Sequence, residues 1–270
     1  MKILFVKLGA MGDVINTLPL AIALKERLGA RIHWLVEPLS LPLVAGHPAV
    51  EKTIVFERKR WAGSIPEVVK AVRAERFDIV LDLQRTIKSG SFALAADGTR
   101  RIGFDKARCK ELTWLFPFER IRPQDPKRHM LLQYLEFAEH LGIHDPEIRW
   151  DIPCTGAPGF DLPDAYVVLN VGATKSANLW NVAGFASLAD LIEERFGLPS
   201  VLTGAGAVDK ALAGKIPGLT KIAAPINLVG ATSLPQLIRV LAGAKAVVSC
   251  DTGPMHLAVA LSRPVVALFG

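Results

Sequence analysis

Cysteine is scarce: only Cys109, Cys154 and Cys250 occur in 270 residues. They are widely separated, odd in number and without metal-ligand spacing, which argues against a disulfide framework or a zinc site and fits a reducing cytosol. No run of about 18 uninterrupted apolar residues is present, which argues against a membrane-spanning helix. The N-terminal apolar run is broken by Lys7 and Asp13 and lacks a signal-peptide layout. A protein in solution, or one peripheral on a membrane, is expected. Internal repeats and low-complexity tracts are also missing.

Half of the residues are apolar, enough for sizeable cores, and the length suggests roughly two domains of about 150 residues each. The net charge of +6 is unevenly placed. Residues 1–150 hold 24 Lys and Arg against 18 Asp and Glu, whereas residues 151–270 hold 8 against 8. A basic first half predicts an acidic partner: a phosphorylated substrate, an anionic membrane surface or nucleic acid. No recognition motif accompanies the excess, so nucleic acid is the weakest of the three.

Strand and helix patterns alternate. Lys2 to Val6, Ile32 to Val36, Lys52 to Phe56 and Ile79 to Leu83 read as buried strands, with helices over Val14 to Leu28, kinked at Pro19, and over Ile65 to Arg76, with Pro66 in its first turn. A second series runs through strand Tyr166 to Asn170, helix Val182 to Phe196, strand Ser200 to Thr203, helix Leu234 to Leu241, strand Ala246 to Ser249, an apolar segment Met255 to Leu261 and strand Val265 to Phe269. This order predicts an α/β protein with two doubly wound parallel sheets. The Pro- and Gly-rich stretch Asp151 to Asp164 is the natural linker, giving domains 1–152 and 153–270.

Ligands of open α/β sheets bind beyond the C-terminal ends of the strands, and four loops meet that rule. Asp251-Thr252-Gly253-Pro254-Met255-His256 joins a strand to a helix start, where unpaired amides and the helix dipole suit a diphosphate; Asp251 or Thr252 would equally serve as a helix cap. Lys7 to Asp13 forms a similar junction, with Gly9 and Gly12 allowing a tight turn and close approach to a ligand. Asp13 there is either a cap or a general base. Gly204-Ala205-Gly206 and Val171 to Asn178 are the other two, and a cleft lined by all four would hold a nucleotide diphosphate beside a second, acidic substrate. The third glycine of a dinucleotide fingerprint does not follow Gly12, which disfavours a nicotinamide-dependent oxidoreductase.

The motifs Lys7-Leu8-Gly9-Ala10-Met11-Gly12-Asp13-Val14, Asp82-Leu83-Gln84 with Lys88-Ser89, Asn227-Leu228 with Gly230 and Thr232-Ser233-Leu234, and Asp251 to His256 occur in order along the chain. Together they resemble the lipopolysaccharide heptosyltransferases of glycosyltransferase family 9. The resemblance implies a GT-B architecture with an acceptor-binding N-terminal domain and a nucleotide-sugar-binding C-terminal domain. It implies inverting transfer of heptose from ADP-heptose to the inner core of a lipid A-linked acceptor, without a metal or other cofactor.

It also implies Asp13 as base. The donor set would be Thr174, Lys175, Asn178, Gly204, Asp209, Thr232, Asp251, Thr252, Gly253 and His256, with His256 orienting the diphosphate or simply packed in its helix. The acceptor set would be Lys7, Arg58, Arg60, Gln84, Lys88 and Arg120, although charge runs such as Arg58 to Arg60 are commonly solvated faces. Asp82 would line the cleft or cap the following turn. Expected partners are the sugar nucleotide, the lipid-linked acceptor and the cytoplasmic face of the inner membrane, not nucleic acid.

Two departures are visible. Asn178 stands where the family carries a lysine, and the chain stops at Gly270 where the family continues, so the second domain is expected to be incomplete. The alternative is a degenerate member that binds nucleotide sugar with little turnover.

Overall fold

The computed structural model describes residues 1–156, 159–172 and 179–269, and the chain divides into two compact units, Met1–Pro153 and Cys154–Gly270. The division falls within the Pro- and Gly-rich stretch.

In the first unit, in chain order, the strands are β1 (Lys2–Val6), β2 (Arg31–Val36), β3 (Val50–Val55), β4 (Arg76–Asp82), β5 (Asp97–Gly103) and β6 (Glu119–Arg120), and the helices are α1 (Met11–Leu28), α2 (Leu41–Val44), α3 (Trp61–Arg73), α4 (Ile87–Ala95) and α5 (Met130–His140). The sheet order is β3-β2-β1-β4-β5-β6, every pair parallel. Covered on both faces, β1 is apolar from Ile3 to Val6 and β2 is buried from Ile32 to Val36, with His33 its one polar residue there. One core of Leu4, Val6, Phe56, Val68, Phe77, Val80 and Phe92 lies between sheet and helices, each such side chain contributing about 1.5–3 kcal/mol by burial.

The second unit contains β7 (Val167–Asn170), α6 (Val182–Phe196), β8 (Ser200–Thr203), α7 (Ala207–Ala213), β9 (Ile226–Asn227), α8 (Leu234–Gly243), β10 (Ala246–Cys250), α9 (Gly253–Ala260) and β11 (Val265–Leu268). Its sheet is also parallel, ordered β11-β10-β7-β8-β9. Asn181 caps α6, Ser233 and Gln236 form a capping box on α8, and Gly197 ends α6 in the left-handed region that favours glycine.

Both sheets follow the doubly wound order. The strand sequence reverses between β1 and β4 in one unit and between β7 and β10 in the other, and such switch points open a crevice at the strands' C-terminal ends.

Several boundaries differ from expectation. Helix α1 starts at Met11, so Gly12 and Asp13 sit in its first turn rather than in the preceding loop, and the helix continues through Pro19 without a break. Helix α3 starts at Trp61, which places Pro66 inside it. The expected start at Met255 moves to Gly253, with Pro254 near the helix start, where its missing N–H costs nothing. Strands β5, β6 and β9 had no apolar run to announce them. Among the described residues, no helix is long and apolar enough to cross a membrane.

Candidate active site

At the switch point of the first unit, β1 is followed by Lys7, whose amide continues the ladder by donating to the Leu35 carbonyl. Its side chain turns inward and is only 2% exposed. The ammonium donates to Asp13 Oδ2 at 2.9 Å and reaches the Leu83 carbonyl at 3.5 Å, with the Tyr134 ring 5.2 Å below it. Burial lowers the Lys7 pKa from its ordinary value, with Asp13 opposing that shift and Arg85 adding to it.

Asp13 occupies the third position of α1, where the helix dipole favours a negative charge. The N-cap of α1 is Ala10, and no side chain caps it. Of the two readings of Asp13, the cap is therefore excluded: its carboxylate is held by Lys7 and its side chain is 35% exposed. An acid anchored on one side by a buried cation and open to solvent on the other is suited to accept a proton from a bound hydroxyl.

The loop after β4 completes this half. Asp82 is buried and accepts hydrogen bonds from the amides of Gln84 (3.2 Å) and Arg85 (3.4 Å), so it shapes the turn. Burial pushes its pKa up against those bonds. The turn lets Gln84 Oε1 accept from the Gly9 amide at 3.4 Å, tying the two loops together. A Cβ on Gly9 would project into open space; its glycine leaves room beside the loop.

Two residues that sequence reasoning did not single out stand here. Arg85 has φ of 67° and lies over the Phe104 ring at 4.8 Å. Tyr134, brought by α5, has a buried hydroxyl with no hydrogen-bonding partner in acceptable geometry among the described residues. Its pKa is raised by burial first, then by the Asp13 charge.

The other proposed acceptor residues divide. Gln84 and Lys7 flank Asp13, although Lys7 is too buried to reach a large substrate; its partner is Asp13. Lys88, in the first turn of α4, pairs with Glu37 at 3.0 Å above the Phe56 ring. Arg58 and Arg60 follow β3, two strands from β1 and so about 10 Å away; Arg60 pairs with Glu57 and Glu67, and both arginines are exposed. Arg120 is a correction: its guanidinium donates to the carbonyls of Phe104, Thr113 and Phe116 and holds a loop together.

In the second unit, Asn170 at the end of β7 donates from Nδ2 to Gly172 O (3.3 Å), Ser249 Oγ (3.0 Å) and Thr252 Oγ1 (3.2 Å), and its Oδ1 accepts from Thr203 at 3.3 Å. This buried network fastens the ends of β7, β8 and β10. Thr252 is the N-cap residue of α9, yet its hydroxyl faces the network and makes no cap bond. Among the described residues no side-chain acceptor caps the helix start, a geometry suited to an anion.

Gly253 is the first residue of α9, Asp251 is half-buried just before it, and His256 lies one turn in. Asp209 is buried and accepts from the Ala205 amide at 2.8 Å. A Cβ at Gly172 would come 2.4 Å from Asp209 Oδ2, so a side chain there would displace that carboxylate. Gly204 packs on the same carboxylate, and Thr232 lies in the β9–α8 loop, whose Gly230 amide donates to the Gly204 carbonyl at 2.9 Å. Thr174, Lys175 and Asn178 lie outside the described residues. No group of three His, Cys, Asp or Glu side chains able to hold a metal occurs among the described residues.

Two Rossmann-like units in one chain, each with its polar cluster at the switch point of its own sheet, are the signature of the GT-B class of glycosyltransferases. Residues 65–270 match the family described as glycosyltransferase family 9 (heptosyltransferase). Lipopolysaccharide heptosyltransferase 1 of Pseudomonas aeruginosa is 31% identical, with 100% of this chain and 79% of the relative covered. The enzyme of the same name from Escherichia coli K12 is 31% identical, with 100% and 88% covered. The structure of E. coli heptosyltransferase WaaC with ADP-2-deoxy-2-fluoro heptose superposes with a TM-score of 0.77 at 26% identity, covering 99% of this chain and 88% of that one. The chain belongs to glycosyltransferase family 9, the heptosyltransferase family.

Proposed function

We propose that this glycosyltransferase moves heptose from ADP-heptose to the inner core of a lipid A-linked acceptor at the cytoplasmic face of the inner membrane. The names of the relatives and the sugar nucleotide bound to WaaC support the donor and acceptor classes. The observation that carries the mechanism is the Lys7–Asp13 pair at the first switch point.

The acceptor oxygen attacks the anomeric carbon while its proton passes to the open side of the Asp13 carboxylate. The bond from the anomeric carbon to the diphosphate oxygen breaks, and ADP leaves with the electron pair. Attack from the face opposite the leaving group inverts the anomeric centre. Lys7 holds the Asp13 carboxylate in place through its 2.9 Å hydrogen bond; Gln84 and Asp82 fix the loops on either side.

The amides at the start of α9, around Thr252 and Gly253, stabilise the charge that develops on the diphosphate. Asp251 and His256 sit at its edge. Asp209 and Gly204 border the same crevice, and Arg58, Arg60 and Lys88 meet acidic groups of the acceptor. Residues 1–152 thus serve the acceptor and 153–270 the donor.

The test is calorimetric titration with ADP-heptose, ADP and NAD, coupled to a transfer assay on a Kdo-lipid A acceptor. Binding of ADP-heptose with turnover is expected. Binding without turnover identifies a degenerate member, and binding of NAD alone overturns the reading.

A further inference from the structure

The first unit carries large apolar side chains that its core does not use. Trp61 is 62% exposed, Leu112 60% and Leu115 63%, with Ile87 and Trp114 also exposed. All follow the C-terminal ends of β3, β4 or β5, so they rise from the same edge of the sheet as Lys7 and Asp13.

They form one neighbourhood. Helices α3 and α4, which begin at Trp61 and Ile87, pack together. The Ile87 amide donates to Glu111 at 3.0 Å. The Phe116 ring fills the space where Gly90 of α4 would carry a Cβ, which seats the 111–116 loop on that helix. Leu112 is held outward with φ of 60° directly after Glu111 at 49°, a left-handed pair that neither side chain favours.

Basic residues fringe the patch: Arg58, Lys59 and Arg60 beside Trp61, and Lys106 and Lys110 beside the loop, with Lys106 Nζ 4.5 Å from the Trp114 ring centre. The acidic neighbours are Glu57, Glu67 and Glu111; the first two are paired with Arg60 and the third accepts the Ile87 amide. Protruding indoles and leucines ringed by lysines match the interfacial zone of an anionic bilayer, where indoles settle at headgroup depth and cations meet phosphates.

We infer that the turns at Trp61, Ile87 and Leu112–Leu115 are a membrane-docking surface that inserts shallowly into an anionic lipid leaflet and brings the Asp13 crevice to a lipid-anchored acceptor. This rests on the proposed function for the identity of the acceptor, but not for the binding itself.

The experiment is co-sedimentation of the full chain with vesicles of phosphatidylethanolamine containing about one phosphatidylglycerol in four, compared with neutral phosphatidylcholine. The wild type should pellet with the anionic vesicles and be released by salt as the headgroup attraction is screened. Trp61→Ser/Leu112→Ser/Leu115→Ser should bind at least about tenfold more weakly, while turning over a deacylated, water-soluble acceptor within about twofold of wild type. Lys59→Glu/Lys110→Glu, confined to exposed positions, should show the same loss and guards against misfolding of the first variant.

Wild type that ignores anionic vesicles, or variants that bind as well as wild type, would overturn the inference even if heptose transfer proceeds. Concentration-dependent dimerisation abolished by the same substitutions, without vesicle binding, would overturn it in favour of self-association. Vesicle binding with no transfer to any acceptor would leave the surface in place and remove the proposed function instead.

Discussion

Replacing Asp13 with Asn tests the centre of the mechanism with almost no change of shape. Asn retains an oxygen that accepts from Lys7 Nζ, so the 2.9 Å contact survives as an ordinary hydrogen bond, but it cannot accept the acceptor proton. General-base catalysis contributes about 10²–10⁴-fold, equivalent to about 2.7–5.5 kcal/mol at the transition state, and the fall should appear in kcat. ADP binding should stay within about twofold because Asp13 does not serve the donor.

A second readout follows from the charge. At an effective dielectric of about 20, unit charges this close attract by about 6 kcal/mol. Asp13 is 35% exposed and screened by water, so a net loss of about 1–2 kcal/mol on substitution is the realistic figure. Its pH dependence has a defined sign. Burial already sets the Lys7 pKa below 10.5, and Asp13 opposes that shift; removing Asp13 drives it lower. A lysine whose pKa is lower in the fold than in the unfolded chain penalises the fold wherever the unfolded chain holds the proton. The deficit is therefore full below the lowered Lys7 pKa, narrows as pH rises from there, and is gone above 10.5. Steady-state ADP release, calorimetry and urea melts at pH 7 and above 10 measure all three. Turnover of D13N within tenfold of wild type would refute the base assignment.

Four further outcomes are expected. Thr252→Val removes a hydroxyl from the Asn170 network while keeping its shape, and ADP binding followed by calorimetry should weaken about tenfold, or 1.4 kcal/mol. Glu136→Ala leaves the buried Arg108 with Asp105 alone and frees Arg128, so urea melts should show a loss of about 2–4 kcal/mol. Tyr134→Phe deletes a buried hydroxyl that faces Asp13 and Thr17 but makes no well-aligned hydrogen bond among the described residues, and the same melts should show a change of no more than about 1 kcal/mol. Hydrogen bonds from Lys2 and Lys52 hold the Glu75 carboxyl at about 2, below its ordinary 4.5, so its contribution is present above pH 4.5 and lost as pH falls toward 2; Glu75→Gln should cost about 1–2 kcal/mol at pH 6 and nothing near pH 2.

The residues legible from the sequence share a physical trait: they interrupt runs that burial would otherwise make apolar. β1, β7 and β10 lie inside their sheets and are covered on both faces, so they read as continuous hydrophobic stretches, and the first polar residues after them mark the crevice. That is why Asp13, Gln84 and Thr252 were visible. β5 has the sequence DGTRRIG and β6 and β9 have two residues each; lying near or at sheet edges, they need no apolar alternation and left no signal.

Tyr134 was hidden differently. In MLLQYLEFAEH it looks like any aromatic on a buried helix face, and only the packing of α5 on α1 brings it to Asp13. Lys7 was legible, but its burial was not. A lysine at a strand end is usually solvated, and only the position of Asp13, in the first turn of the helix that follows, explains how its ammonium is kept under the loop. Arg120 is the reverse case, a cation in a basic cluster whose donors are occupied by three loop carbonyls. Charge in a sequence therefore indicates where an acidic partner is welcome. Which cations meet that partner is decided by the carbonyls and carboxylates the fold supplies first, and in this chain those leave Arg58 and the lysines around Trp61 facing outward.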